Sequence, residues 1–236
     1  EKSKILEREG GMDLTPIFLS LKTAAASTFI TFFLGVYAAW KTANIKCGKG
    51  LLDAVFTLPM VLPPTVIGFF LLVFFGRNTW LGNWMAENGH GIIFTWKGAV
   101  IAAIVVSFPL MYRTTRSAFE QLNPNLIDVG RTLGLSRTKI FWKIVFPNCF
   151  PGILGAAILT FSRALGEFGA TIMIAGNIPG KTQTAALAVY TAMQTGNRGL
   201  AYQWVAVIIC ISLVAMLAMN AVNRRQQLLI RKGGAK

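Results

Sequence analysis

Four uncharged runs, at residues 24–40, 54–76, 98–112 and 199–223, limit the fold before any motif is considered. Roughly 20 apolar residues in a helix cross a bilayer, and each of these runs is a membrane span or most of one. A fifth run, 150–175, is long enough but holds Arg163 and Glu167. Residues 182–197 are also uncharged, yet they are rich in Thr, Gln and Ala and bounded by Gly; they read as a short helix or re-entrant segment outside the core. With 54% hydrophobic residues, 14% charged residues and a mean hydropathy of +0.55, the chain is too apolar for a soluble domain. The expectation is an all-α integral membrane protein of about five transmembrane helices. Its parts are a polar segment at 1–12, a membrane domain at 13–225 and a basic tail at 226–236.

Charge predicts the orientation. Lysines and arginines number three in 41–50, six in 113–143 and five in 224–236, against three before residue 12, two in 77–97 and two in 181–198. Fourteen against seven favours the first set as cytoplasmic. That needs an odd number of spans, with the N-terminus outside and the C-terminus inside. The net charge of +14 therefore points to anionic lipid head groups at the membrane edge rather than to nucleic acid. Residues 1–11 are polar and the first apolar run is span-length, so no cleavable signal peptide is expected. Cys47, Cys149 and Cys210 are odd in number and scattered; reduced structural thiols and no metal site are expected. The lone His90 falls in an outer loop, where a solvated role is expected.

Between two spans lies a segment with soluble-helix punctuation, residues 128–147, reading D-V-G-R-T-L-G, then nine residues, then I-V-F-P. Asn123 can cap a helix begun by Pro124, and Gly134 can end it in a left-handed turn. Ser136 can cap a second helix, and Pro147 marks where that one is expected to stop. Gly130 and Gly134 are four apart, so one side of the first helix lacks bulk and admits close approach. The segment is either an ordinary amphipathic loop or a docking element.

Two features inside the membrane carry functional weight. The run L-P-M-V-L-P-P-T-V-I-G has three prolines in six positions and cannot remain one helix, since each removes a donor and clashes one turn back. A break near Pro59 to Pro64 is predicted. Non-helical backbone at that depth is tolerated only against protein or a water-filled cavity, which makes Pro63, Pro64 and Thr65 candidates for a translocation path, with a kink serving packing as the alternative. The second feature is S-R-A-L-G-E-F-G-A-T, Ser162 to Thr171. Arg163 and Glu167 are four apart, on one face of a helix, with Arg163 about midway along its span, where an ionisable group is costly. They form either an internal salt bridge that fixes packing or, with Ser162, part of an anion path. Gly166 and Gly169 leave room for a neighbouring helix.

The sequence A-G-N-I-P-G-K-T at 175–182 matches a loose phosphate-loop pattern, but an apolar span precedes it where a strand is required. No other phosphate loop occurs, so the chain does not supply its own ATP hydrolysis.

The spacing of 128–147 resembles the cytoplasmic EAA loop of ABC importer permeases: E-A-A, three residues, G, nine residues, I-x-L-P. Asp128, Val129 and Gly130 stand at the E-A-A places, Gly134 at the Gly, Ile144 at the Ile, Phe146 at the Leu and Pro147 at the Pro. Spacing is kept throughout, while identity departs at the first three places and at Phe146. In that family the loop, here 122–147, forms a coupling helix seated in a separate ATPase subunit. The resemblance thus implies coupling roles for Asp128, Val129, Gly130, Arg131, Thr132, Leu133 and Gly134. R-A-L-G-E-F-G-A-T-I-M-I-A-G-N-I-P-G-K-T-Q-T, then A-L-A-V-Y-T-A-M-Q-T, closely resembles molybdate importer permeases; sulfate permeases share the R-A-x-G-E-F-G and G-N-I-P portions.

This likeness runs from about residue 14 to 223. It implies the type I ABC importer permease architecture in the cytoplasmic membrane, a homodimer of permeases, two cytoplasmic ABC ATPase subunits and an extracytoplasmic oxyanion-binding protein. No cofactor is expected on this chain, with ATP and Mg on the partner ATPases. Sulfate, thiosulfate or tungstate stand as alternative cargoes. A secondary transporter without ATPase would usually show internal repeats and midplane carboxylates, and only Glu167 qualifies. A membrane enzyme would need convergent nucleophiles or metal ligands, which one His and three scattered Cys do not supply.

Overall fold

The computed structural model describes residues 13–43, 45 and 48–233, and the described residues contain helices and no strand. The polar segment 1–12, Cys47 and residues 234–236 lie outside them. In chain order the helices are α1 (Thr15–Ala43), α2 (Lys49–Val61), α3 (Pro64–Phe74), α4 (Trp80–Glu87), α5 (Trp96–Glu120), α6 (Pro124–Thr132), α7 (Arg137–Ile140), α8 (Phe146–Leu165), α9 (Gly169–Ala175), α10 (Ala185–Gln194) and α11 (Arg198–Gly233). A π-helical turn, Phe141–Val145, joins α7 to α8. Four segments are long and apolar enough to cross a membrane: α1, α5, Arg137–Leu165 and the first part of α11, Arg198–Ala218. The pair α2 and α3 passes the same test together, which gives five.

The centre of the bundle is the α1–α5 contact, and small residues explain it. Ala24, Ser27, Thr31, Gly35, Ala38, Ala39 and Thr42 form the buried stripe of α1. At Gly35 a β-carbon would come within 2.6 Å of the Met111 side chain, so only glycine lets α5 this close. Apolar lipid tails give helices no hydrophobic reason to associate, and close backbone approach of this kind supplies the dispersion contacts instead. At this seam Ser27 donates to Ala24 O and Thr42 to Ala38 O on α1, and Ser107 to Ala103 O on α5, while the Thr31 hydroxyl is buried without a partner among the described residues. Such return bonds satisfy a donor that has no water to turn to. Ala24, Ala103, Ala164 and Leu165 then bring α8 onto the same seam.

Side-chain contacts sort the loops into two ends. At one end Thr42, Lys49, Asp53, Tyr112 and Glu120 share a hydrogen-bonded network, which joins the 41–50 loop to the C-terminal end of α5. At the other, Lys22 lies 4.3 Å from the Trp96 ring centroid, Trp96 Nε1 donates to Thr23 Oγ1 at 2.9 Å, and Ala185 N donates to Ser20 Oγ at 2.8 Å. This is the grouping that the charge count requires: 41–50 with 113–143, apart from the segments around 22, 96 and 185.

The structure bears out the break predicted near Pro59 to Pro64 and corrects three expectations about element boundaries. The run 54–76 is two helices bent by 107°, with the chain extended at Leu62 and Pro63 between them. Pro147 does not stop a helix: the chain is helical from Arg137 to Leu165, and Pro147 sits in the first turn of α8. The preceding π turn re-routes the Phe146 N–H to Phe141 O, and Asn148 Nδ2 donates to Ile144 O at 2.6 Å, so the proline is absorbed locally. The run 150–175 is likewise interrupted, because α8 ends at Leu165 and α9 begins at Gly169. Lastly, 182–197 is not peripheral. Its helix α10 buries Ala185, Leu187, Ala188 and Ala192, and Ala185 and Ala188 pack with Trp204 of α11 and Ile17 of α1.

Candidate functional site

Both broken spans break at the same place. A β-carbon on Gly169, the first residue of α9, would lie 3.0 Å from Pro64 Cβ and 3.3 Å from Thr65 N, at the first turn of α3. One helical turn further along α3, a β-carbon on Gly68 would lie 2.8 Å from Ala170 Cα. The short helices α3 and α9 therefore cross nearly backbone to backbone, and Ile67, Ala170 and Ile174 share a buried cluster with Ala99, Ala102 and Val106 of α5. Of the two glycines expected to admit a neighbour, Gly169 does so; nothing approaches Gly166 more closely than its own Ser162 carbonyl, at 4.0 Å.

Beside that crossing, Glu167 is buried at 3% exposure in the non-helical link. Its Oε2 meets Arg163 Nη1 at 2.8 Å, and its Oε1 accepts from Ala170 N at 2.9 Å. One carboxylate thus neutralises an arginine and holds a free N–H at the start of α9, where the helix dipole also favours negative charge. The pair is not in the middle of a helix as the sequence suggested, since Arg163 is in the last turn of α8 and Glu167 lies beyond it. Arg163 keeps 36% of its side chain exposed, whereas Ser162 returns its hydroxyl to Ile158 O. Pro63 and Thr65 are exposed and Pro64 half-buried. Pro64 and Thr65 thus meet the 163–169 link through Gly169.

The 122–147 segment folds as the cap signals require. Asn123 Oδ1 accepts from Asn125 N at 3.0 Å, Pro124 opens α6, and Gly134 takes φ 71° with its N–H on Arg131 O. Leu135 N returns to Gly130 O at 3.0 Å and Ser136 caps α7. Gly130 proves to face its own chain: a β-carbon there would lie 2.7 Å from Ile144 Cδ1 and 3.2 Å from Ile140 Cγ1. The bulk-free side of α6 is therefore the seam of the hairpin. The flank next to that seam carries Leu126, Val129 and Leu133, which are 41%, 55% and 72% exposed and spaced as one helical face. Asp128 and Arg131 pair at 2.8 Å on the surface, and Thr132 is exposed beside them.

Sequence reasoning missed one ionic cluster at the same end of the bundle. Arg116 on α5 donates to Asp53 of α2 and, through Nε, to Glu120 at 2.9 Å; Tyr112 also donates to Asp53, and Lys49 reaches Glu120 at 3.1 Å. It ties α2 to α5 ahead of the α2–α3 break. Available signals were Asp53, the only acid between residues 14 and 86, and the i, i+4 spacing of Tyr112, Arg116 and Glu120. The 175–182 segment, for its part, forms a polar turn after α9: Thr182 Oγ1 accepts from Ile178 N at 3.0 Å and Asn177 Nδ2 donates to Thr191 at 2.8 Å.

Comparison with known proteins places this geometry. Residues 31–228 match the family model described as binding-protein-dependent transport system inner membrane component. The Bacillus subtilis permease YvgM is 44% identical over 206 residues, which span 86% of this chain and 90% of the relative. The Escherichia coli molybdenum transport system permease protein ModB is 41% identical over 206 residues, 85% of this chain and 89% of the relative. The sulfate transport system permease protein CysT of Escherichia coli is 33% identical over 208 residues, 88% and 75% of the two chains. Among solved structures, an inward-facing MetNI methionine ABC transporter superposes with a TM-score of 0.70 at 17% identity, covering 89% of this chain and 94% of that one. The matched family model and the shared fold leave one conclusion: the chain belongs to the family of binding-protein-dependent transport system inner membrane components, multi-pass permeases of ABC importers.

Proposed function

We propose that this chain is the permease subunit of an ATP-driven importer of molybdate, working as one of two copies with two cytoplasmic ATPase subunits and an extracytoplasmic oxyanion-binding protein. The observation that carries the reading is the division of labour in the fold. Two interrupted spans meet at Gly169 and Pro64, while the α6 hairpin stands at one end with Leu126, Val129 and Leu133 uncovered. Broken helices allow a path to open and close by small movements of short rigid pieces, and an uncovered apolar face is what a docking partner would bury.

In this reading Pro63, Pro64, Thr65, Ser162, Arg163 and Glu167 border the path. Val129 and Leu133, with Asp128, Arg131 and Thr132, meet the ATPase, and Gly130 and Gly134 shape the hairpin that presents them. The excess of Lys and Arg in 41–50 and 113–143 supports the hairpin's side as cytoplasmic, with the N-terminus outside. ATP-driven closure of the ATPase pair would draw the two α6 helices together and turn the path outward; hydrolysis would restore the inward state. Nucleotide and Mg would be held by the partner subunits. Higher identity to the molybdenum permease than to the sulfate permease, 41% against 33%, supports molybdate as cargo.

Calorimetry of the cognate binding protein with molybdate, tungstate and sulfate, followed by ATP-dependent uptake in proteoliposomes, tests this. Molybdate is expected to bind tightly and to be concentrated only when ATPase subunits and ATP are present. Concentrative uptake by the isolated permease would overturn the ABC reading in favour of a secondary transporter, and preference for sulfate would overturn the cargo.

A further inference from the structure

The cytoplasmic half of the molecule holds a cleft that neither the helix breaks nor the docking hairpin accounts for. Its volume is 670 Å³, and it is lined by Met60 at the end of α2, by Arg113, Ser117 and Gln121 along α5, and by Asn123 and Asn148 near the hairpin. A second cavity of 410 Å³ shares Arg113 and Ser117 with it and reaches Asp53, Arg116 and Glu120. The larger cleft thus runs from three residues before Pro63 to the residue that caps α6. It lies between the proposed path and the proposed docking element.

The two arginines on this stretch of α5 are in opposite states. Arg116 is committed, with Asp53 and Glu120 both bonded to it and Tyr112 within reach. Lys49 takes up Glu120 as well. Arg113, three residues earlier and one turn nearer the membrane centre, is exposed to both cavities and is in no ion pair among the described residues. Its neighbours in the larger cleft are neutral donors and acceptors: Thr114, Ser117, Gln121, Asn123 and Asn148. The acids that might have cancelled it are those already held by Arg116, Lys49 and Tyr112. A free guanidinium, able to bond two oxygens of one anion and rimmed by neutral amides and hydroxyls, is chemistry suited to a tetrahedral oxyanion. A lipid-facing or merely solvated role gives no reason for a cleft of this size to be built around it.

We propose that Arg113 is the cytoplasmic way-station of the import path: it takes the oxyanion as it leaves the helix breaks and holds it briefly in the cleft above the α6 hairpin. This rests on the importer reading above and adds the residue that guides the anion's exit. One arginine with no second cation within the cavity linings other than Arg116 binds weakly enough to release its cargo, as an exit site must.

The test is uptake of radiolabelled molybdate, and separately sulfate, into proteoliposomes that contain permease, ATPase and binding protein. Wild type is compared with Arg113→Gln and Arg113→Lys, and co-purification of the ATPase is measured for each. Removing the one uncancelled charge of the cleft is expected to slow uptake by about tenfold at an unchanged half-saturating concentration of loaded binding protein. Lysine keeps the charge but not the fork that bonds two oxygens, so it should recover part of the rate that glutamine loses. If Arg113→Gln fails to assemble, Ser117→Asp replaces it, placing a negative charge beside Arg113; the same slowing is expected. Wild-type rates in either neutralising variant would overturn the inference, as would equal loss with lysine or loss that follows the ATPase off the complex. A wild-type assembly that carries neither anion would overturn the importer reading; normal wild-type uptake with an unaffected Arg113→Gln overturns the exit site alone.

Discussion

Gly68 and Ala170 meet without an intervening side chain: a β-carbon on Gly68 would come within 2.8 Å of both the Cα and the carbonyl oxygen of Ala170. Backbone cannot swing aside as a side-chain end can. Gly68→Ala should therefore cost about 1–3 kcal/mol by overpacking, partly offset by roughly 1 kcal/mol of improved helix propensity. Gly169→Ala, which meets the Pro64 ring at 3.0 Å, should cost less, and Gly166→Ala should be near neutral. Thermal unfolding of the detergent-purified protein ranks the three. A Gly166 variant as unstable as the Gly68 one would contradict this account of the crossing.

Glu167 serves Arg163 with one oxygen and the Ala170 N–H with the other. Glu167→Gln keeps an oxygen for the N–H but loses the ion pair, whereas Glu167→Leu loses both. The leucine variant is expected to be the less stable by about 1–3 kcal/mol, the cost of a buried donor left unsatisfied. Equal stability in a denaturant titration would mean that the cap contributes nothing.

Span count and composition were legible because apolar runs are long and the bilayer's thickness is fixed. The α2–α3 break was legible because three prolines forbid a helix, but the 107° bend was not, since it is set by how α3 and α9 pack across distant sequence. Pro147 misled for the converse reason. A proline inside a helix normally breaks it, but the π turn at Phe141–Val145 shifts the hydrogen-bond ladder just before Pro147 and keeps Arg137–Leu165 continuous around it. Gly130 was visible as a place of close approach, while its partner Ile144 was not, because helical spacing says which side is bare and not what covers it. The Asp53 network escaped notice because Asp53 and Arg116 are 63 residues apart. Arg113 and Arg116 look alike in sequence; only the fold shows which one is neutralised.

The Asp53–Arg116 contact predicts coupling rather than additivity. In a cycle of Asp53→Asn, Arg116→Gln and the double variant, the interaction energy should fall at about 0.5–3 kcal/mol. Tyr112→Phe removes a single donor to Asp53 and should cost about 1 kcal/mol. Lys49 and Glu120 are 36% and 46% exposed, so Lys49→Met should change stability by no more than about 1 kcal/mol. Additive single variants in thermal unfolding would show that the network is a surface contact of no consequence to α2.

The α6 hairpin separates shape from docking. Gly130→Val puts branched carbons where Ile144 Cδ1 already lies and should unseat the hairpin, lowering both stability and ATPase association. The same reasoning makes a bulky Gly130→Trp a poor probe of docking, since it acts first on the chain's own packing. Leu133→Asp acts on the exposed flank instead: its residue is 72% exposed, so stability should move by less than about 0.5 kcal/mol, the usual range for a surface change. Yet a charge introduced into a face that a partner must desolvate should weaken ATPase co-purification at least about tenfold and uncouple hydrolysis from uptake. Thermal unfolding of the permease alone, set beside pull-down of its ATPase, reads the two effects independently. Unaltered ATPase association in Leu133→Asp would move the docking face away from Leu126, Val129 and Leu133.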